Sequence, residues 1–378
     1  MAVSTAGSRR AWGCGALALI MVGVVGCGSD DGDSAQPRLT PGPLATATAP
    51  STPSATPDLG TAEEVAQGID VPWGLAFLPD GAALVAERDT GRILRVAPGG
   101  GAPQPVYEVP DVAPGGEGGL LGLAVSPGYA DDSLVYAYFT AARDNRIVRF
   151  RLDDDQPEVI FDGLAKAGNH NGGRIAFGPD GMLYVGTGDA GQTSRSQDLA
   201  DPSGKILRLT PDGDPAEGNP TAGSPVYSLG HRNVQGLAWD ADGRMFAAEF
   251  GQNDVDEVNL IQPGRNYGWP EVEGIGDTDG GRFTNPLVTW PTREASPSGL
   301  AIAGGTAYVA ALRGERLWTI PLTGDTMGEP TAEFTEQYGR LRTVAVAPDG
   351  ALWVTTSNTD GRGDVRDGDD RILRFPAR

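Results

Sequence analysis

A short apolar motif returns six times along this chain, and its period constrains the fold more than any other feature. The copies are GRILRV (91–96), NRIVRFRL (145–152), GKILRLT (204–210), DEVNLI (256–261), ERLWTIPL (315–322) and DRILRFP (370–376). Aligned on Ile93, Ile147, Ile206, Val258, Leu317 and Ile372, they are spaced by 54, 59, 52, 59 and 55 residues. Each copy follows two apolar runs joined by a turn, as in GRIAFGPDGMLYVGTGD and RTVAVAPDGALWVTT. Asp-Gly suits such turns because glycine takes positive φ without a Cβ clash. The runs are short, glycine is abundant at 56 residues, and no stretch has convincing helical periodicity, which together indicate an all-β chain. A repeat of this length with about four short strands is close to the ~40–50 residues of common propeller blades. The sequence therefore predicts an all-β, six-bladed β-propeller of four-stranded antiparallel blades over residues 61–378.

The same alignment predicts a site. In a propeller, loops leading into the innermost strands share one face with loops leaving the second strands. The first kind carries Trp73, Glu117, Asn169 with His170, Arg232 with Asn233, Ser298, and Arg340 with Arg342. The second carries Glu87, Asp189, Glu249 with Gly251 and Gln252, Arg313, and Ser357 with Asn358. His170, one of only two histidines in 378 residues, thus shares a rim with at least four arginines. Each arginine needs an anion, supplied either by the rim's own carboxylates or by a ligand. Arg340 and Arg342, two apart on one side of a strand, suit a grip on a single anion. With a planar polycarboxylate, a histidine base and a hard cation, such a rim would make a redox site.

The N-terminal region reads differently. Arg9 and Arg10 precede an apolar run, Gly13 to Gly26, that is too short for an ordinary membrane span and has the order of a secretory signal. SRRAW has a faint likeness to a twin-arginine export signal. VVGC resembles the lipobox of bacterial lipoproteins, which implies a signal peptide over 1–26 and lipidation of Cys27. Residues 27–60 are rich in Ser, Thr, Pro and Ala and are expected to be a flexible tether to the membrane. Cys14 and Cys27 are the only cysteines, so the folded part has no disulfide, thiolate nucleophile or cysteine-ligated zinc. The net charge of −21 argues against nucleic acid as a partner and makes bound Ca²⁺ more plausible.

NHNGGRIAFGPDGMLYVGTGD, GKILRL, YSLGHRNVQGLAWD, DEVNLIQPGRNYGWP and GRLRTVAVAPDG resemble the soluble pyrroloquinoline quinone (PQQ) dependent sugar dehydrogenases, also called glucose/sorbosone dehydrogenases. The resemblance runs in order from about Val71 to Arg374. It implies a membrane-tethered oxidoreductase that uses PQQ and Ca²⁺, takes an aldose or related sugar as substrate, and passes electrons to a further acceptor. His170 would be the general base, accepting a hydroxyl proton while hydride leaves the anomeric carbon for PQQ, and Asp189 would orient it. Arg232, Asn233, Arg340 and Arg342 would hold the cofactor, with Arg313 where the family has a lysine. A further amide contact would fall on Gln192 or Gln197. Glu117, where the family has a glutamine, and Asn169 would meet the sugar. One calcium would sit on the backbone carbonyls of Gly251 and Gln252, the latter replacing a proline. A second would use the backbone of Glu273 and Ile275 and the carboxylate of Asp277.

Two other readings compete: a calcium-dependent propeller lactonase, and a non-catalytic surface propeller that binds a glycan or protein. Elsewhere, Trp239, Trp318 and Trp353 are expected in the core between blades, His231 in a structural role, and Tyr267 and Trp269 packing the turn after blade 4.

Overall fold

The computed structural model describes residues 55–378. The expected signal segment 1–26, Cys27 and the expected tether up to residue 54 lie outside the described residues. The strands form six antiparallel sheets in chain order. Their innermost strands are Pro72–Phe77, Leu120–Val125, Ile175–Phe177, Val234–Trp239, Pro297–Ala303 and Leu341–Val346. Each packs beside the innermost strand of the next sheet, and the last packs beside the first, so the sheets close into a six-bladed propeller. Blades 1 to 6 are numbered from these strands.

Blade 4 shows the pattern: Val234–Trp239 pairs with Met245–Glu249, which pairs with Val255–Ile261, which pairs with Val288–Pro291. The recurring motif is the third strand, and a further strand lies outside it in every blade. In blade 5 that outer edge is broken into Thr326–Met327 and Thr331–Glu333. In blade 6 it is Glu63–Gln67, which pairs with Arg371–Phe375 and joins the two ends of the folded body. Pairing starts ahead of residue 61: the Asp58 amide donates to the Pro376 carbonyl at 2.7 Å and the Arg378 amide to the Thr56 carbonyl at 2.9 Å.

Among the described residues six buried apolar clusters form the core, each between two adjacent blades. Trp353 belongs to the cluster between blades 6 and 1, where it meets Phe77 edge-on at 5.2 Å between centroids. Trp318 is buried between blades 4 and 5, and Trp239 is half-buried between blades 3 and 4. These three tryptophans sit where the repeat placed them.

Around the axis the inner strands approach closely, and glycine permits it. Pairing registers align Gly74, Gly122, Gly236 and Gly299 just before Leu75, Leu123, Leu237 and Leu300 in four blades. A Cβ at Gly74 would stand 2.5 Å from the Leu121 carbonyl oxygen, and one at Gly236 would stand 2.6 Å from that of Ser298. In blades 3 and 6 the same position is Arg174 and Thr343. The inner strands of every blade but the third also start with a register shift, a bulge that turns the preceding side chains toward the channel mouth. Blade 3 replaces that bulge with Gly172 and Gly173 at φ 63 and 108°.

Closure of blade 6 gives a direct test. A chain starting at residue 69 loses the Glu63–Gln67 strand and the burial of Val65, which alone is worth roughly 1.5–3 kcal/mol. Thermal unfolding should show it several kcal/mol less stable than a chain starting at residue 55.

Candidate functional site

His170 sits in the loop leading to the inner strand of blade 3, in the left-handed region at φ 54°. A non-glycine residue there is held by its surroundings. The Glu117 carboxylate accepts its amide at 2.9 Å, and its carbonyl accepts the Ala190 amide at 3.0 Å. The ring is thereby turned so that Nδ1 lies 2.7 Å from Oδ1 of Asp189, which follows the second strand, Leu183–Gly186. Asp189 has no exposed surface. It also accepts the Gly191 amide at 2.7 Å and the Trp269 indole N–H at 2.9 Å. Burial raises its pKa, but the bond and charge of His170, with the indole and amide donors, more than offset this and hold it below the usual carboxylate value. An ionised carboxylate only accepts, so Nδ1 carries a proton, and in the neutral ring Nε2 presents a lone pair. That lone pair faces the Asn169 side-chain amide at 3.2 Å.

Blade 4 repeats the arrangement with a different result. His231 Nδ1 lies 2.8 Å from Glu249 Oε2 and its Nε2 lies 2.8 Å from the Ser228 hydroxyl, while Tyr267 stacks on its ring. Fully buried, His231 supports the backbone of Arg232, whose amide donates to Glu249 Oε1. The Asn358 side chain accepts the Arg340 amide in the same way in blade 6, at 2.8 Å. The end of a second strand thus fixes the loop that presents each functional side chain.

Arg232, Arg340 and Arg342 are buried with few counter-charges. Arg340 donates through Nε and Nη2 to Asp360 Oδ2 at 3.1 and 2.8 Å, and Arg342 Nη2 reaches the same oxygen at 3.4 Å. Burial pushes Arg342 down to about 9, with Arg340 nearby adding to the effect. Its Nε is buried with no hydrogen-bond partner. Arg232 donates twice to the Gln252 amide oxygen, at 3.0 and 2.6 Å, and once to the Phe250 carbonyl, so no carboxylate holds its guanidinium. Asn233 gives its side-chain oxygen to the Gly172 amide at 3.0 Å, leaving a buried amide nitrogen unpartnered. Arg313 is exposed, and its guanidinium makes no bond to the described residues.

Other expected residues divide. Glu117 spends its second oxygen on Arg362 at 3.0 Å, so its carboxylate chiefly shapes the His170 loop. Gln197 exchanges hydrogen bonds with Asn266 and donates to the Trp269 carbonyl at 2.7 Å, so it holds the Trp269 loop from beneath. Among the described residues no trio of acidic, histidine or cysteine side chains forms a metal cage. The backbone carbonyls of Gly251, Gln252, Glu273 and Ile275, however, accept no hydrogen bond from the described residues. Glu273 Oε1 links the two segments by accepting the amides of Gln252 and Asn253 at 2.7 and 3.2 Å. The Asp277 carboxylate accepts the Asp279 amide at 3.0 Å.

Sequence reasoning missed three groups. Trp269 was expected to pack a turn, with a calcium-site role secondary; it also bonds Asp189, and Arg232 lies 5.5 Å over its ring. Asp360 and Arg174 were not singled out, although Arg174 stands where four other blades carry glycine.

Comparison with known proteins bears on this geometry. The family model described as Glucose / Sorbosone dehydrogenase matches residues 69–373. Aldose sugar dehydrogenase YliI of Escherichia coli is 30% identical over 345 residues, covering 81% of this chain and 92% of that protein. The PQQ-bound form of aldose sugar dehydrogenase from Streptomyces coelicolor is 55% identical with a TM-score of 0.81, covering 85% of this chain and all of that one. The apo form of the Escherichia coli enzyme is 27% identical with a TM-score of 0.74, covering 84% of this chain and 99% of that one.

With only two histidines, the tautomers can be read directly. ¹⁵N spectra of histidine-labelled protein should show both rings protonated on Nδ1. Asp189→Asn should disturb one set of signals only; an Nε2-protonated His170 in the parent protein would contradict the geometry.

Proposed function

The chain belongs to the Glucose / Sorbosone dehydrogenase family, and from that membership we propose how its own residues carry out PQQ-dependent sugar oxidation. The observation that carries the reading is the buried His170–Asp189 pair beside arginines that outnumber their carboxylates. The donor set fits the cofactor. Arg340 and Arg342 share the single carboxylate of Asp360, Arg342 keeps an unpartnered Nε, and Arg232 faces only neutral oxygens. A ligand with several carboxylates supplies the missing negative charge, and charge-assisted bonds to arginine are the strong ones. PQQ, when bound, supplies the two-electron acceptor that takes the hydride from the sugar's anomeric carbon.

His170 does the proton work. Its Nε2 lone pair accepts the proton of the sugar hydroxyl as that carbon is oxidised, the hydroxyl displacing the Asn169 amide that now faces it. Asp189 stabilises the imidazolium so formed, and Trp269 keeps Asp189 in place. General base catalysis of this kind is typically worth ~10²–10⁴ in rate. Glu117 contributes by holding the His170 backbone, and Asn169 by meeting the sugar.

The carbonyls of Gly251 and Gln252, and separately those of Glu273 and Ile275 with the Asp277 carboxylate, suit two hard cations that take oxygen ligands. Ca²⁺ is the reading we favour there. The basic-then-apolar N-terminus and VVGC support export and a lipid anchor on the outer face of the membrane, with an electron acceptor reached from that side.

The test is a comparison of parent protein and His170→Ala after loading with PQQ and Ca²⁺. Aldose-dependent dye reduction should fall by ~10²–10⁴ while PQQ affinity stays within a few-fold. Equal loss of binding would reassign His170 to a structural part. Chelation should abolish turnover, and added Ca²⁺ should restore it.

A further inference from the structure

Arg174 is the fourth residue after His170, and nothing in the proton chemistry uses it. Its backbone occupies the axial position that is glycine in blades 1, 2, 4 and 5. Its side chain fills the channel. Nε donates to the Gln235 carbonyl of blade 4 at 2.6 Å. Nη2 donates at 3.0 Å to the hydroxyl of Thr343 in blade 6, directly opposite blade 3 in a six-membered ring. The guanidinium lies 4.4 Å over the Trp73 ring of blade 1. Arg342 lies 5.9 Å from the same ring and donates at 3.1 Å to the Gln235 side-chain oxygen. Gln235 therefore holds both arginines, one by its backbone and one by its amide.

A plug for the channel needs no charge, and an apolar side chain would fill it at lower cost. Among the described residues Arg174 has no carboxylate partner, and the charged group that acts on it is another cation, Arg342. Arg340 and Arg342 thus share the carboxylate of Asp360, and the buried guanidinium of Arg174 adds a third positive charge beside them. Unpaired buried charge of this kind weakens the empty protein, while in a water-poor interior it attracts an anion strongly.

We propose that Arg174 is a positioning residue for the anionic cofactor: it fixes Arg342 through Gln235 and adds buried positive charge that bound carboxylates neutralise. This rests on the PQQ reading above. It makes Arg174 worth more in the loaded protein than in the empty one, the reverse of a purely structural plug.

Arg174→Met and Arg174→Lys separate the two. In the protein free of PQQ, Arg174→Met should unfold at the parent temperature or above. Its PQQ dissociation constant should rise about tenfold or more, with Arg174→Lys falling between. The stabilisation of the empty protein by sulfate, used as a simple anion probe, should also shrink in Arg174→Met. A large drop in unfolding temperature with unchanged PQQ affinity and sulfate response would overturn the proposal and leave a plug. If the parent protein binds no PQQ, the cofactor reading fails separately, and the sulfate response still decides for or against Arg174.

Discussion

Six inner strands meet around one axis, four of them at a distance that only glycine allows, and the rest of the molecule follows from that crowding. Because Gly74, Gly122, Gly236 and Gly299 let neighbouring backbones touch, the loops above them converge on one rim. Side chains from blades 3, 4 and 6 can then act on one ligand. The two exceptions, Arg174 and Thr343, lie on opposite blades and bond each other across the channel. The floor of the site is thus closed by hydrogen bonds and an arginine–tryptophan contact where an aliphatic plug would have sufficed.

Above that floor, the site separates two electrostatic tasks. On the side of blade 3, a single carboxylate is kept ionised by three donors so that one imidazole nitrogen stays basic. On the side of blades 4 and 6, positive charge exceeds negative charge and waits for a ligand. The two do not cancel because loops pinned at the ends of the second strands hold them apart. Glu249 and Asn358 there, and Glu117 ahead of the inner strand of blade 2, each spend a side-chain oxygen on the backbone amide of a functional residue. Stability given to the loops in this way lets His170 keep a conformation that a free loop would leave.

Much of this was legible in the sequence, for physical reasons. A repeat of constant period fixes blade number, and blade topology then fixes which loops share a face, so His170, Asp189, Arg232, Arg340 and Arg342 could be brought together from spacing alone. Side-chain partners could not. Trp269 lies in a long excursion between the third and fourth strands of blade 4, where the repeat gives no register, so its bond to Asp189 was invisible. Asp360 follows a second strand but sits two residues past the expected pair Ser357 and Asn358. Gln197 was placed near the site, yet both ends of its amide are occupied by the loop it supports. Arg174 had a readable signal, an arginine at a glycine position, that emerges only when the inner strands are aligned residue by residue.

The central claim is that the arginine-rich rim holds a quinone cofactor against a histidine base. The most direct measurement is an anaerobic titration of the calcium-loaded protein with PQQ, followed by aldoses, with the quinone spectrum recorded throughout. The account predicts one PQQ bound per chain and its reduction on adding sugar. No binding at micromolar PQQ, or binding without reduction by any aldose, would contradict it.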